Sequence, residues 1–156
     1  MRSILVRTIL GLAILSVGMF GADNTIGTWK RDMAKSKLTP LPANPIKSLT
    51  IVYQAMDGGV KVTATGERKD GTAINGSYAP KYDGKPVPAT GTTWDTTSMK
   101  QVDANTVTFE NIKTGGKYHV TGRTVVSKDG KTMTTTVKGT NEDGKPLAGT
   151  YIYDKQ

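Results

Sequence analysis

The sequence predicts an all-β chain, an antiparallel meander of short strands that closes into a barrel or folds as a sandwich. Three observations lead there. Asp-Gly recurs at 57–58, 70–71, 83–84, 129–130 and 143–144, and Asn75-Gly76 and Gly115-Gly116 add two further turn signals. These dipeptides accept the positive φ that tight hairpins require. The runs between them alternate with period two: Leu49, Ile51, Tyr53 and Ala55 face one way, Thr50 and Gln54 the other. Val60, Val62 and Ala64 oppose Lys61, Thr63 and Thr65, and Val107 and Phe109 oppose Thr106, Thr108 and Glu110. Such alternation marks half-buried antiparallel strands. Finally, nothing after residue 22 keeps a helical period, and 18 glycines with only 36% apolar residues favour strand and turn. A length of 156 residues allows one domain with a proper core and not two.

Residues 1–22 read as a secretory signal peptide. Arg2 and Arg7 form a basic start, Ile9–Phe20 an apolar run, and Gly21-Ala22 a small-residue exit. The run is shorter than the roughly 20 residues of a membrane span. Phe20 stands where a cleavage site prefers a small residue, so the bond cut is not assigned, and an uncleaved anchor is the alternative. Either version puts the domain outside the cytoplasm, in the periplasm or secreted.

Residues 23–47 are expected to hold a first strand and a proline-bearing arm. Segment 33–46 has room for one short turn before Pro40, Pro42 and Pro45 forbid a helix and leave an extended, wrapping stretch. Residues 48–156 supply the meander, one domain with 23–47. Its strands are expected at Leu49–Ala55, Val60–Thr65, Ile74–Ala79, Met99–Val102, Thr106–Ile112, Tyr118–Val126, Thr132–Lys138 and Leu147–Tyr153. A repeat runs through it: Gly66–Tyr78 aligns with Gly139–Tyr151 at a constant offset of 73, with five identities in thirteen positions. It suggests either a duplicated three-strand unit giving two similar halves or two hairpins that reuse the same turn chemistry.

Composition excludes several chemistries. With no cysteine there is no disulfide scaffold, thiol catalysis or thiolate-bound metal. A single histidine, His119, rules out a multi-histidine metal site. It sits in a strand-like run without a nucleophile elbow, so an acid–base pair of His119 with a carboxylate is the minor, enzymatic alternative. Asp57, Asp70, Asp83, Asp129 and Asp143 each precede glycine, and turn chemistry accounts for them. No phosphate loop, dinucleotide fingerprint or EF-hand is present, and no cofactor or metal is implied. The net charge of +8 falls to +6 without residues 1–22, which carry two arginines and no acid. Lys69, Lys85, Lys128, Lys131 and Lys145 are spread singly over turns, which describes a solvated surface, and no nucleic-acid partner is expected.

After the expected signal segment the mature chain opens with Gly27-Thr28-Trp29-Lys30 and ends with Gly149-Thr150-Tyr151-Ile152-Tyr153-Asp154-Lys155, and Ser127–Thr134 carries a late hairpin. A Gly-x-Trp first strand followed by a hairpin meander resembles the calycins, the lipocalins and fatty acid-binding proteins. The style is similar to that of secreted bacterial lipocalin-like proteins. The resemblance implies a single antiparallel meander barrel of about 8–10 strands. It also implies that Gly27 and Trp29 close one end, with Arg123 or Lys155 stacked on the indole. Two departures stand out. The proline-bearing arm replaces the helical lid, and Tyr151-x-Tyr153 stands where fatty acid-binding proteins have Arg-x-Tyr. The charge of a carboxylate clamp would then have to come from Arg68 or Arg123.

The expected interior is lined by Tyr53, Tyr78, Trp94, Phe109, Tyr118, Arg123, Tyr151 and Tyr153, with Met56, Met99 and Met133. Such a lining suits a small apolar or amphipathic molecule with hydroxyl anchors. The expected function is an exported, non-enzymatic binding protein for such a molecule. The alternative is a barrel packed solid, an envelope or surface protein whose basic exterior contacts anionic polymers.

Overall fold

A computed structural model describes residues 22–156; the expected signal segment 1–22 lies outside them except for Ala22. The ten strands are β1 Gly27–Thr39, β2 Ile46–Met56, β3 Gly59–Arg68, β4 Ala73–Tyr78, β5 Val87–Thr90, β6 Thr96–Asp103, β7 Thr106–Ile112, β8 His119–Val126, β9 Thr132–Thr140 and β10 Pro146–Lys155. Each pairs antiparallel with its successor and β10 returns to β1, so the meander is a single closed barrel. Closure gives every strand two neighbours, although β1 pairs with β2 only over Gly27–Lys30. No helix among the described residues is long and apolar enough to cross a membrane.

Because hairpins alternate ends, the connections 40–45, 69–72, 91–95, 113–118 and 141–145 gather at one end, which we call the mouth. The other four connections and the segments flanking β1 and β10 form the floor. Two aspartates tie mouth connections down. Asp70 accepts the Thr72 N–H at 2.9 Å, and Asp95 accepts the Thr114 N–H and hydroxyl, both at 2.9 Å. The backbone N–H groups pull each carboxyl from 3.8 to about 2. A depressed folded-state pKa stabilises fully above the unfolded value and is lost as pH falls through the folded one. The thermal midpoint is therefore expected to hold steady down to about pH 4 and to drop between about pH 4 and pH 2. Asp95→Asn should blunt that drop in melts monitored by circular dichroism.

Three expectations need correction. The stretch after Met33 does not turn but continues β1 to Thr39. The turn tendency survives as a bulge, where pairing with β10 slips between Asp32 and Lys37. Within it, Asp32 accepts the Ala34 and Lys35 N–H groups, and the Ser36 hydroxyl donates to the Asp32 carbonyl. The prolines lie in the 40–45 connection at the mouth, not in a wrapping arm. The alternation also missed β5, which is four residues long and contains Pro88. Proline removes a ladder donor and breaks the pattern that marks a strand. Lastly, the repeated segments are the β3–β4 and β9–β10 hairpins, both at the mouth, six strands apart in a ring of ten. They are similar hairpins, not two halves of the barrel.

Inward positions near the floor pack solid. Trp29, Val60, Val62 and Met133 are fully buried, with Val107, Val126 and Tyr153 nearly so. Residues 23–26 cross beneath them. The Trp29 indole N–H donates to the Thr25 carbonyl at 2.7 Å, and the Tyr82 hydroxyl donates to Asp23 at 2.5 Å. Lys155, not Arg123, covers the indole: its ammonium lies 5.0 Å from the ring and donates to the Ile26 carbonyl. The turn into β1 is made at Gly27, whose φ of 136° favours glycine and beside which Lys155 passes.

Candidate functional site

Above this packed layer the barrel is hollow. A cavity of about 600 Å³ extends to the mouth, where Leu41, Pro42 and Pro45 of the β1–β2 connection border it. That volume is in the range of small-molecule sites. Tyr53, Tyr78, Trp94, Phe109, Tyr118, Tyr151 and Tyr153 all line it. Strand alternation puts them there: Tyr53 follows Leu49 and Ile51 on β2, and Tyr151 and Tyr153 share one face of β10. Trp94 comes from the β5–β6 connection and stacks on Tyr118, centroids 5.9 Å apart at 17°, with Tyr78 edge-on at 6.3 Å. The Trp94 indole N–H is buried without a partner among the described residues. Burial pushes the hydroxyls of Tyr53, Tyr78, Tyr118 and Tyr151 above the usual phenol value, so they serve as neutral hydrogen-bonding groups.

Arg123 does not join them. On β8 the inward side chains are Val120, Thr124 and Val126, and Arg123 between them is exposed on the outer face. Met56 also points outward, and Met133 belongs to the floor layer, whereas Met99 borders the cavity. Arg68 reaches the mouth, where its guanidinium donates to the Asn44 carbonyl at 3.0 Å. His119 lies on the outer face of β8, exposed, and meets Glu110 at 2.6 Å outside the cavity.

The charge inside comes from a residue the sequence reading passed over. Arg31 follows Trp29 by two positions on β1 and so shares its inward face. Its register partner on β10 is Tyr153. The guanidinium stacks 4.0 Å above the Tyr151 ring and donates to the Tyr153 hydroxyl through Nη2 at 2.5 Å and Nε at 3.2 Å. No carboxylate pairs with it among the described residues. The one acid lining the cavity is Glu142, in the β9–β10 connection at the mouth. Arg31 therefore keeps Nη1 free, and the Tyr153 hydroxyl, acting as acceptor, keeps its own proton to donate. Alternation from Trp29 was the signal that could have found it. Thr97, Asn111, Thr124 and Thr135 were missed as well and line the wall formed by β6–β9.

Phe109 needs one special neighbour. Its register partner is Gly122, where an added Cβ would stand 2.2 Å from the ring's Cζ. The absent side chain lets the ring lie flat against the wall. Gly122→Ala is expected to drive the ring into the cavity, weaken binding of the dye 1-anilinonaphthalene-8-sulfonate about tenfold, and cost about 1–3 kcal/mol of stability. Fluorescence titration and a denaturant melt read the two effects.

No family model matches the chain, and no curated protein matches it. Among solved structures, one similar chain is a redesigned β barrel, mFAP1, bound to DFHBI. It is 18% identical, with 82% of this chain and 94% of that chain covered and a TM-score of 0.39. At that TM-score the two backbones differ too much for either to inform the other.

Proposed function

We propose that the chain is an exported, non-enzymatic binding protein of calycin type that reversibly holds one small amphipathic molecule. The apolar body of the ligand lies among the aromatic side chains, and an acidic group meets Arg31 and Tyr153. The observation that carries this reading is Arg31, a cation stacked inside an aromatic-lined cavity without a carboxylate partner among the described residues. Arg31 is half-buried, and a ligand that covers it takes the guanidinium out of water, which is costly unless the ligand brings an anion. An anionic headgroup supplies that partner through charge-assisted bonds, the strong kind, and apolar burial supplies the rest. No covalent step is part of this reading.

Native mass spectrometry of the full chain expressed in an exporting bacterium tests it, with solvent extraction of the same sample. A stoichiometric adduct that extraction releases as an acidic amphiphile is the expected result. An apo mass together with no binding of 1-anilinonaphthalene-8-sulfonate would refute the reading and favour surface contact with anionic polymers.

A further inference from the structure

Strands β2–β4 line the cavity with Leu49, Ile51, Ala64 and Ile74, together with the phenols of Tyr53 and Tyr78. Strands β6–β9 present Thr97, Asn111, Thr124 and Thr135, exposed by only 1%, 6%, 3% and 7%. Polar side chains at such depth are costly unless hydrogen-bonded. They bond in two pairs: the Thr97 hydroxyl donates to Asn111 Oδ1 at 2.7 Å, and the Thr124 and Thr135 hydroxyls lie 2.9 Å apart.

The pairs do not use up their donors. Asn111 has two amide hydrogens, and neither has a partner among the described residues. Of the two hydroxyl hydrogens in the Thr124–Thr135 pair, one bond can use only one. Thr135 is also the register partner of Tyr151, the ring beneath Arg31, so the threonine pair adjoins the charged site. Spare donors therefore line the β6–β9 wall.

We infer that the ligand carries, besides its acidic group, at least one uncharged oxygen (a hydroxyl, ketone or ether) along the edge that faces β6–β9. This oxygen accepts hydrogen bonds from Asn111 or the threonine pair. The inference rests on the amphiphile reading above and narrows it from acids in general to oxygenated acids. A plain alkyl acid would strip water from these donors and leave them unpaired, and sites built to hydrogen-bond an oxygen discriminate strongly against analogues that lack it.

The test is calorimetric titration of the full chain with dodecanoate and with the positional isomers of hydroxydodecanoate. At least one isomer is expected to bind about tenfold tighter than dodecanoate. Two double variants then locate the oxygen: Thr97→Val with Asn111→Leu, and Thr124→Val with Thr135→Val. Each removes both partners of one bond and so leaves no new orphan, a change that can be nearly neutral for folding. One of them should bring the isomer-to-dodecanoate ratio to about one. If dodecanoate binds and no isomer binds more tightly, the oxygen site is refuted while the amphiphile reading stands. If the ratio survives both double variants, the assignment to this wall is wrong. If neither dodecanoate nor any isomer binds, the amphiphile reading falls and takes this inference with it.

Discussion

Arg31→Met is expected to raise the dissociation constant for 1-anilinonaphthalene-8-sulfonate about 100-fold while leaving the fold intact. The dye offers a sulfonate to the guanidinium and aryl rings to the aromatic wall. Losing one partner of a desolvated, hydrogen-bonded charge pair costs about 2–5 kcal/mol, and each 1.4 kcal/mol is a factor of ten. Methionine keeps the apolar stem and removes the guanidinium, so the loss reports the charge together with its stacking on Tyr151 and its hydrogen bonds. Stability moves little because two effects oppose. The Tyr153 hydroxyl loses its donors, and the barrel no longer desolvates an unpaired cation. The expected change in folding free energy is within about 1 kcal/mol of zero. A variant that still binds the dye at parental affinity would remove Arg31 from the site. A variant that fails to fold would make the residue structural.

Trp29→Ala should have the largest effect on stability, about 3–5 kcal/mol. The side chain is fully buried at the floor, its N–H bonded to Thr25 and its ring covered by Lys155. Truncation leaves a void between Val60, Val62 and Met133, an unpaired Thr25 carbonyl and a lysine with nothing to stack on. Against a typical total of about 5–15 kcal/mol, that is a large share. A fall of about 10–15 °C in the thermal midpoint corresponds to it. Trp29→Phe keeps most of the packing and loses the hydrogen bond, so about 1–2 kcal/mol is expected there. A loss below about 1 kcal/mol for the alanine variant would mean that the floor is sealed by residues 23–26 without the indole.

The strand architecture was legible because alternation and Asp-Gly turns are local signals that mark eight of the ten strands, while the start of β1 was marked by Gly27-x-Trp29. Strand β5 carries neither cleanly, since Pro88 interrupts its four residues. Inward aromatics such as Tyr53, Phe109 and Tyr151 were legible for the same reason. Arg31 obeys the same alternation, yet a charged residue on a strand is ordinarily taken as solvent-facing. Arg123 failed in the opposite sense. On β8, Val125 beside it is exposed and Val126 is buried, so valine does not mark the face. Threonine is so frequent that Thr97, Thr124 and Thr135 could not be told from outward threonines without the register. Whether the interior is hollow or solid depends on summed side-chain volume against barrel radius, which no period encodes.

The seam between β1 and β10 has a consequence for the order in which the molecule can come into being. Trp29 and Arg31 on β1 find Lys155 and Tyr153 only when β10 exists. Every hairpin from β2 to β9 can form as it is synthesised, but the ring, its seal and its charged anchor all wait for the final strand. The closing step joins the two ends of the chain and pays the entropy of a very long loop. A chain cut short by about ten residues would keep most of its hairpins, hold two open edges prone to pairing with other chains, and lack half of each end's machinery. Closure of this barrel is thus gated by synthesis of β10.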